Sequence, residues 1–305
     1  MQAAAIQTAE WGDHHVWQWR GWNCHWRVCG PPDGQPILLL HGFGASSGHW
    51  RHCAPHLVDL GWRVYGLDLL GFGASDQPSR PLDNRLWGLQ VSSFLNQVVA
   101  RPAVLVGNSL GALTALTAAV LTPSRIRAVV SAPLPDPALL RKRAQPQDPW
   151  RRRWQRRLLC LVLHVLPLEL IVPLIARTPL LQIGLQGAYL KPVGDDRELL
   201  RLIAAPARRP TAAGALRGMT LGMGCRHERF TAPELLWRLK SPMLLIWGRQ
   251  DRFVPVAIGE KLASENPKLD LTVINGCGHC PHDERSEQFL KMMLNWLDRN
   301  LDQDE

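Results

Sequence analysis

Residues 105–119 read LVGNSLGALTALTAA. A run of small and branched apolar residues stops at Gly107, passes through Ser109 and Gly111, and resumes with apolar residues at helical spacing: Leu113, Leu116 and Val120. A strand that turns into a helix within so few residues brings two backbone segments nearly into contact, which is feasible only where side chains are missing. Gly107 and Gly111 remove them, and the residue left between is lifted clear of the sheet. That residue is Ser109, whose hydroxyl becomes a candidate nucleophile. The pattern G-x-S-x-G is short enough to arise by chance, so its weight comes from the strand-turn-helix setting.

Five further apolar runs have the character of the one that ends at Ser109. They are PILLLHGF (36–43), RVYGLDLL (63–70), IRAVVSA (126–132), PMLLIWG (242–248) and LDLTVIN (269–275), with helical stretches between them. Continuous apolar strands alternating with helices predict an α/β fold with a mostly parallel, doubly wound sheet covered on both faces. Upstream, HVWQWRGWNCHWRVCG alternates Trp17 with Trp19 and, past a turn near Gly21, continues to Trp26 and Val28. This predicts an antiparallel hairpin at the sheet edge. From about Pro133 to Pro233 the strand rhythm stops, which predicts a helical insertion between two strands and divides the chain into 1–132, 133–233 and 234–305. Within the insertion, LLCLVLHVLPLELIVPLIARTPLL approaches transmembrane length, but His164, Glu169, Arg177 and three prolines argue against a lone span.

A serine alcohol needs a base, and the base needs an acid that holds its tautomer and stabilises its charged form. His279, in NGCGHCPH, follows the last strand, and Asp251, in GRQDRFVP, follows the strand before it. Both lie at carboxyl ends of strands, where open α/β sheets gather their sites. Asp136, after the strand ending at Ala132, is the reserve acid. An oxyanion hole requires two backbone N–H donors. Leu110, the residue after the serine, supplies one, and Phe43, in the turn HGFGASSGHW between Gly42 and Gly44, is expected to supply the other. His41 is expected to pack beneath that turn, and Asp68 to stabilise the turn in LDLLGFGASD.

With HGFGASSGHW, DLLGFGASD, VGNSLGA, WGRQDRFVP and GCGHCPH in this order, the chain resembles the α/β-hydrolase fold family with a cap domain over residues 16–132 and 234–298. Within that family the start WQWRG, with HGFGASSGHWR, LDLLGFGASDQP and GNSLGA, is similar to the pheophytinase and chlorophyll dephytylase group and its bacterial relatives. Ala112 departs from that pattern, standing where a second glycine after Gly111 is expected. The resemblance implies ester hydrolysis by serine, with a phytyl ester of a chlorophyll-type pigment as a candidate. Relatives that carry an aspartate at the elbow, dehalogenases and epoxide hydrolases, are excluded by Ser109. Carbon-carbon bond hydrolases share the serine and stay open, as does a scaffold that binds without catalysis.

Other signals point elsewhere and carry less. CGHC at 277–280 spells a dithiol motif but trails the last strand, whereas a redox motif of that type opens a helix early in its domain. His14, His15, Cys24, His25 and Cys29 lack zinc-finger spacing, so no metal and no cofactor are expected. The seven cysteines are odd in number and scattered, and the first fifteen residues have no basic leader region, which predicts a cytoplasmic location. The net charge of +9 would suggest a nucleic-acid partner were it spread, but RKRAQPQDPWRRRWQRR (Arg141–Arg157) holds +7 of it. No nucleic acid is expected. The run, together with Trp150, Trp154 and the Leu-rich segment that follows, predicts either a solvated face or peripheral contact with an anionic membrane. Either way the expected partner is a small apolar ester beneath a greasy roof.

Overall fold

The computed structural model describes residues 11–140, 150, 154 and 166–301. The basic run Arg141–Arg157 therefore lies outside the described residues except for Trp150 and Trp154. Eight strands form one sheet: β1 (Asp13–Trp19), β2 (Trp22–Cys29), β3 (Pro36–Leu40), β4 (Arg63–Leu67), β5 (Ala103–Asn108), β6 (Ile126–Ala132), β7 (Met243–Gly248) and β8 (Leu269–Ile274). Their order is β1-β2-β4-β3-β5-β6-β7-β8. β1 and β2 pair antiparallel, as do β2 and β4, and every later pairing is parallel.

The edge hairpin closes with Trp19 opposite Trp22, leaving the two-residue loop Arg20–Gly21. Both have positive φ, 51° and 82°, the backbone of a tight turn whose twist matches that of its flanking strands. In the parallel part of the sheet β3, β5 and β7 are buried along their whole length. Leu38 and Leu40 face one core with Trp87, Phe94, Leu113 and Leu116, while Ile37 and Leu39 face a second with Trp50, Phe289 and Trp296. Alternate side chains thus enter opposite cores, which is why these runs show no polar alternation in sequence. β4 stops at Leu67, short of the apolar run through Leu70, because the chain there turns around the buried carboxylate of Asp68.

β6 and β7 are neighbours in the sheet, and the chain between them carries the helices Leu168–Arg177, Pro179–Gln186, Arg197–Ala207, Ala212–Cys225 and Ala232–Arg238. Polar anchors at both ends tie this segment to the rest of the chain. Arg51 pairs with Asp196, with Glu198 at 3.0 Å and with Asp283 at 3.3 Å. At the other end Arg226 pairs with Asp136, whose second oxygen accepts the Ala232 N–H at 2.7 Å. Among the described residues no single helix is long and apolar enough to cross a membrane. The apolar helices Leu168–Arg177 and Pro179–Gln186 meet at 81°, with Pro179 opening the second.

Candidate active site

The turn after β5 has the backbone that the glycine spacing demands. Ser109 has φ 51° and ψ −115°, and only Arg20 and Ala100 share its positive φ among the described non-glycine residues. Such a conformation costs about 1–3 kcal/mol and survives where the surroundings enforce it. They do so here through close approach. A Cβ on Gly107 would lie 2.4 Å from the Ala112 nitrogen, and one on Gly111 would lie 2.2 Å from the Leu40 carbonyl oxygen. The Ser109 N–H donates to the Ala132 carbonyl at 3.2 Å. The Asn108 amide donates to the same carbonyl at 2.6 Å and to the His279 carbonyl at 3.2 Å.

Asn108 therefore stitches the serine turn to the histidine loop, a role the sequence reading missed. Its signal was faint: a buried amide at the residue before the serine. A Cβ on Gly42 would fall 2.5 Å from the Asn108 side-chain oxygen, so the β3 turn packs on the same amide.

His279 and Asp251 meet at the ends of β8 and β7. Nδ1 of His279 donates to Oδ2 of Asp251 at 2.8 Å, and both residues are buried. The other Asp251 oxygen accepts the N–H groups of Phe253 and Val254 at 2.8 and 2.9 Å. The His279 backbone N–H donates to the Ala188 carbonyl at 2.7 Å, and the Phe253 ring meets the imidazole edge-on at 5.3 Å. With Nδ1 committed to the carboxylate, the lone pair of a neutral ring sits on Nε2. Asp136, by contrast, is consumed by Arg226 and by the N–H groups of Ala138 and Ala232.

Ser109 and His279 line one cavity of about 470 Å³. Its floor includes Gly42, Phe43 and Asn108, and its roof comes from the inserted helices through Val172, Ile175, Leu180, Leu185, Leu216 and Met219. Phe43 reaches this wall from the turn after β3. Leu110 is the first residue of the helix Leu110–Leu121, where backbone N–H groups have no partner within the helix and the dipole favours negative charge.

The supporting residues behave as their chemistry requires. His41 is fully buried, donates from Nδ1 to the Gly42 carbonyl at 2.8 Å and accepts the Leu69 N–H on Nε2 at 3.0 Å. Asp68 accepts from Ser47 N–H at 2.6 Å, Ala74 N–H at 2.8 Å and His25 Nδ1 at 2.9 Å. Burial pushes its carboxyl up, but the bond from His25, the nearby His41 and the Ser47 N–H outweigh this and hold it well below the usual range. The thiols of CGHC are both free and buried: burial pushes Cys277 up to about 12 and Cys280 well above its ordinary value. Thiol-disulfide chemistry needs an accessible thiolate, so these two cysteines serve packing. Glu284, which the sequence did not single out, joins Gly278 N–H at 2.6 Å to Leu190 N–H at 2.6 Å and Lys191 N–H at 2.8 Å, fixing the histidine loop against the insertion.

A sheet of this order, a serine on a strained strand-to-helix turn and a histidine-carboxylate pair at the strand ends define the class. The profile of the alpha/beta hydrolase fold family matches residues 35–286, and the chain belongs to that family. Among its relatives is the 2-hydroxy-6-oxononadienedioate/2-hydroxy-6-oxononatrienedioate hydrolase of Burkholderia vietnamiensis, 26% identical over 87% of this chain and 88% of that protein. Chloroplastic pheophytinase of Arabidopsis thaliana is 27% identical over 90% of this chain and 66% of its own length. An alpha/beta hydrolase fold protein from Burkholderia ambifaria superposes with a TM-score of 0.72 over 93% of this chain and all of that one, at 23% identity. The chain is a hydrolase of this fold.

Proposed function

We propose that the chain is a serine hydrolase that cleaves a carboxylic ester of a bulky apolar substrate through an acyl-enzyme. Nε2 of His279 takes the proton of the Ser109 hydroxyl as its oxygen attacks the ester carbonyl. The N–H groups of Leu110 and Phe43 hold the oxyanion of the tetrahedral intermediate. Collapse expels the alcohol, which leaves with the proton returned by His279. Water, deprotonated by the same nitrogen, then attacks the acyl-enzyme and releases the acid and Ser109. Asp251 keeps the proton of the neutral ring on Nδ1 and stabilises the ring when it is charged.

The character of the cavity carries the choice of substrate. Among the described residues that line it there is no Lys or Arg, and its roof is aliphatic. The name of the Burkholderia vietnamiensis relative gives a substrate with two carboxylates. With no cation among the described lining residues to pair with, a dianion entering this apolar cavity would meet a large desolvation cost. A neutral ester with a long hydrocarbon would not, and the pheophytinase relative makes a phytyl ester of a chlorophyll-type pigment the specific candidate. Carbon-carbon bond hydrolysis is the second reading, favoured by the 26% identity to a dienedioate hydrolase.

The test is a panel of p-nitrophenyl esters of rising acyl length, run beside pheophytin and beside the dienedioate. Each methylene buried in the cavity is worth about 0.8 kcal/mol, so kcat/KM should climb about fourfold per carbon until the cavity is filled. Turnover of the dienedioate that exceeds every ester would move the chain to the second reading. A binding-only scaffold would turn over nothing in the panel.

A further inference from the structure

We propose that the helix pair Leu168–Arg177 and Pro179–Gln186 docks on the surface of an anionic lipid bilayer and opens the active-site cavity directly into it. This rests on the reading of the cavity as the site of an apolar ester, and it names where that ester comes from.

The first observation is that these helices are apolar on two sides. Val172, Leu181 and Leu185 face the cavity. Leu170, Leu174 and Ile183 point away from it and are 73%, 59% and 67% exposed. A surface helix of a globular protein ordinarily keeps one apolar stripe for the core and turns charge outward. Here the nineteen residues from Leu168 to Gln186 contain Glu169 and Arg177 as their only charges, and the Glu169 carboxylate accepts from Arg217 at 2.6 Å. An apolar surface of this kind calls for an apolar phase against it.

The second observation is continuity between that surface and the cavity. Ile175 and Leu180 line the cavity and are also exposed, as are Phe43 and Phe253 across from them on the sheet side. The mouth is thus rimmed by aliphatic and aromatic side chains, and an ester dissolved in lipid can pass into the cavity without first entering water. That route avoids the transfer step that would otherwise oppose capture of a hydrocarbon substrate.

Charge selects the occupant. The apolar pair begins ten residues after the run Arg141–Arg157, which carries eight Arg or Lys against one Asp. Trp150 and Trp154 within it are exposed, with ring centroids 6.0 Å apart. Basic residues, tryptophans and apolar area in one stretch are the three requirements of an interfacial segment: attraction to anionic headgroups, anchoring at headgroup depth, and insertion. With ten and eight residues and an 81° bend, the pair is suited to lying in the interface.

Flotation of the full chain with phosphatidylcholine vesicles, with and without phosphatidylglycerol, tests this. The wild type should float with the anionic vesicles at low salt and be released by high salt, and Ser109→Ala should float equally, since docking does not require turnover. Combining Leu170→Glu, Leu174→Glu and Ile183→Glu should weaken vesicle binding by at least about tenfold while a short soluble ester is still hydrolysed. Hydrolysis of a long-chain ester held in the vesicles should fall in parallel. Absence of wild-type flotation, equal flotation with neutral vesicles, or unchanged binding by the triple variant would overturn the proposal. So would a concentration-dependent dimer that the triple variant abolishes, which would make the face a contact between two copies. If the triple variant does not fold, the lipid and salt dependence of the wild type decides alone. Failure of the ester reading would leave flotation intact and abolish only turnover.

Discussion

Nδ1 of His279 lies 2.8 Å from Oδ2 of Asp251, and the second oxygen of that carboxylate is held by the N–H groups of Phe253 and Val254. The carboxylate is therefore fixed before it fixes the ring, and its orientation does not depend on substrate. An amide at this position would turn an N–H toward Nδ1 and favour the tautomer whose lone pair faces away from Ser109. Asp251→Asn should lower kcat by about a thousandfold to ten-thousandfold with little change in KM. Steady-state kinetics on a short p-nitrophenyl ester measure this, and a loss below tenfold would mean that Asp251 does not orient the base.

Asp136 offers the opposite expectation. Its carboxylate is wholly buried and joined to Arg226 and to the Ala232 N–H, so it clamps the end of the insertion to the sheet. Replacing it by alanine leaves the partly buried Arg226 guanidinium without this partner, at a cost of up to about 3–5 kcal/mol. Urea unfolding of Asp136→Ala should show that loss, while kcat per folded molecule stays near wild type. Normal stability with collapsed turnover would make Asp136 the catalytic acid.

The buried imidazoles set the acid limit of stability. Burial pushes His282 well below the ordinary histidine value, and neighbouring His49, His279 and His52 push the same way against the pull of Asp283. Burial lowers His41 as well. Because the folded values lie below the unfolded one, the unfolded chain binds protons that the native state refuses. Stability is complete above about pH 6.5 and falls as pH drops below it, by about 1.4 kcal/mol per pH unit for each such histidine. Asp68, held low in the fold, adds a further loss below about pH 3.9. Urea denaturation across this range should give that slope, and His282→Gln should reduce it by about one proton's share. A flat profile from neutral pH down to about pH 5 would contradict the assignment of these rings as buried and neutral.

The fold was legible where one-dimensional pattern and burial coincide. The continuous apolar runs at 36–40 and 103–108 are strands because both faces of the sheet are covered. The hairpin was readable from alternating tryptophans on either side of Arg20–Gly21. Ser109 was readable because a Cβ on either flanking glycine would fall 2.2–2.4 Å from backbone atoms, a constraint that leaves its mark in sequence. Which carboxylate meets His279 was less sharply legible: Asp251 and Asp136 both follow strands, and Asp251 bonds His279 while Asp136 pairs with Arg226, ninety residues beyond it. Asn108 and Glu284 were missed for the same reason, since their partners lie up to 171 and 94 residues away. Apolar run length also overstated β4, whose end is set by the polar turn around Asp68 and not by hydropathy.

The central claim is that Ser109 is a nucleophile activated by His279. Incubation of the full-length chain with a fluorophosphonate probe, followed by intact-mass measurement and peptide mapping, tests it without knowledge of the substrate. One adduct should form per molecule, on Ser109, with labelling slowed by at least about a hundredfold in His279→Ala. A folded protein that takes up no probe, that labels at another residue, or that labels equally fast without His279 would contradict the account.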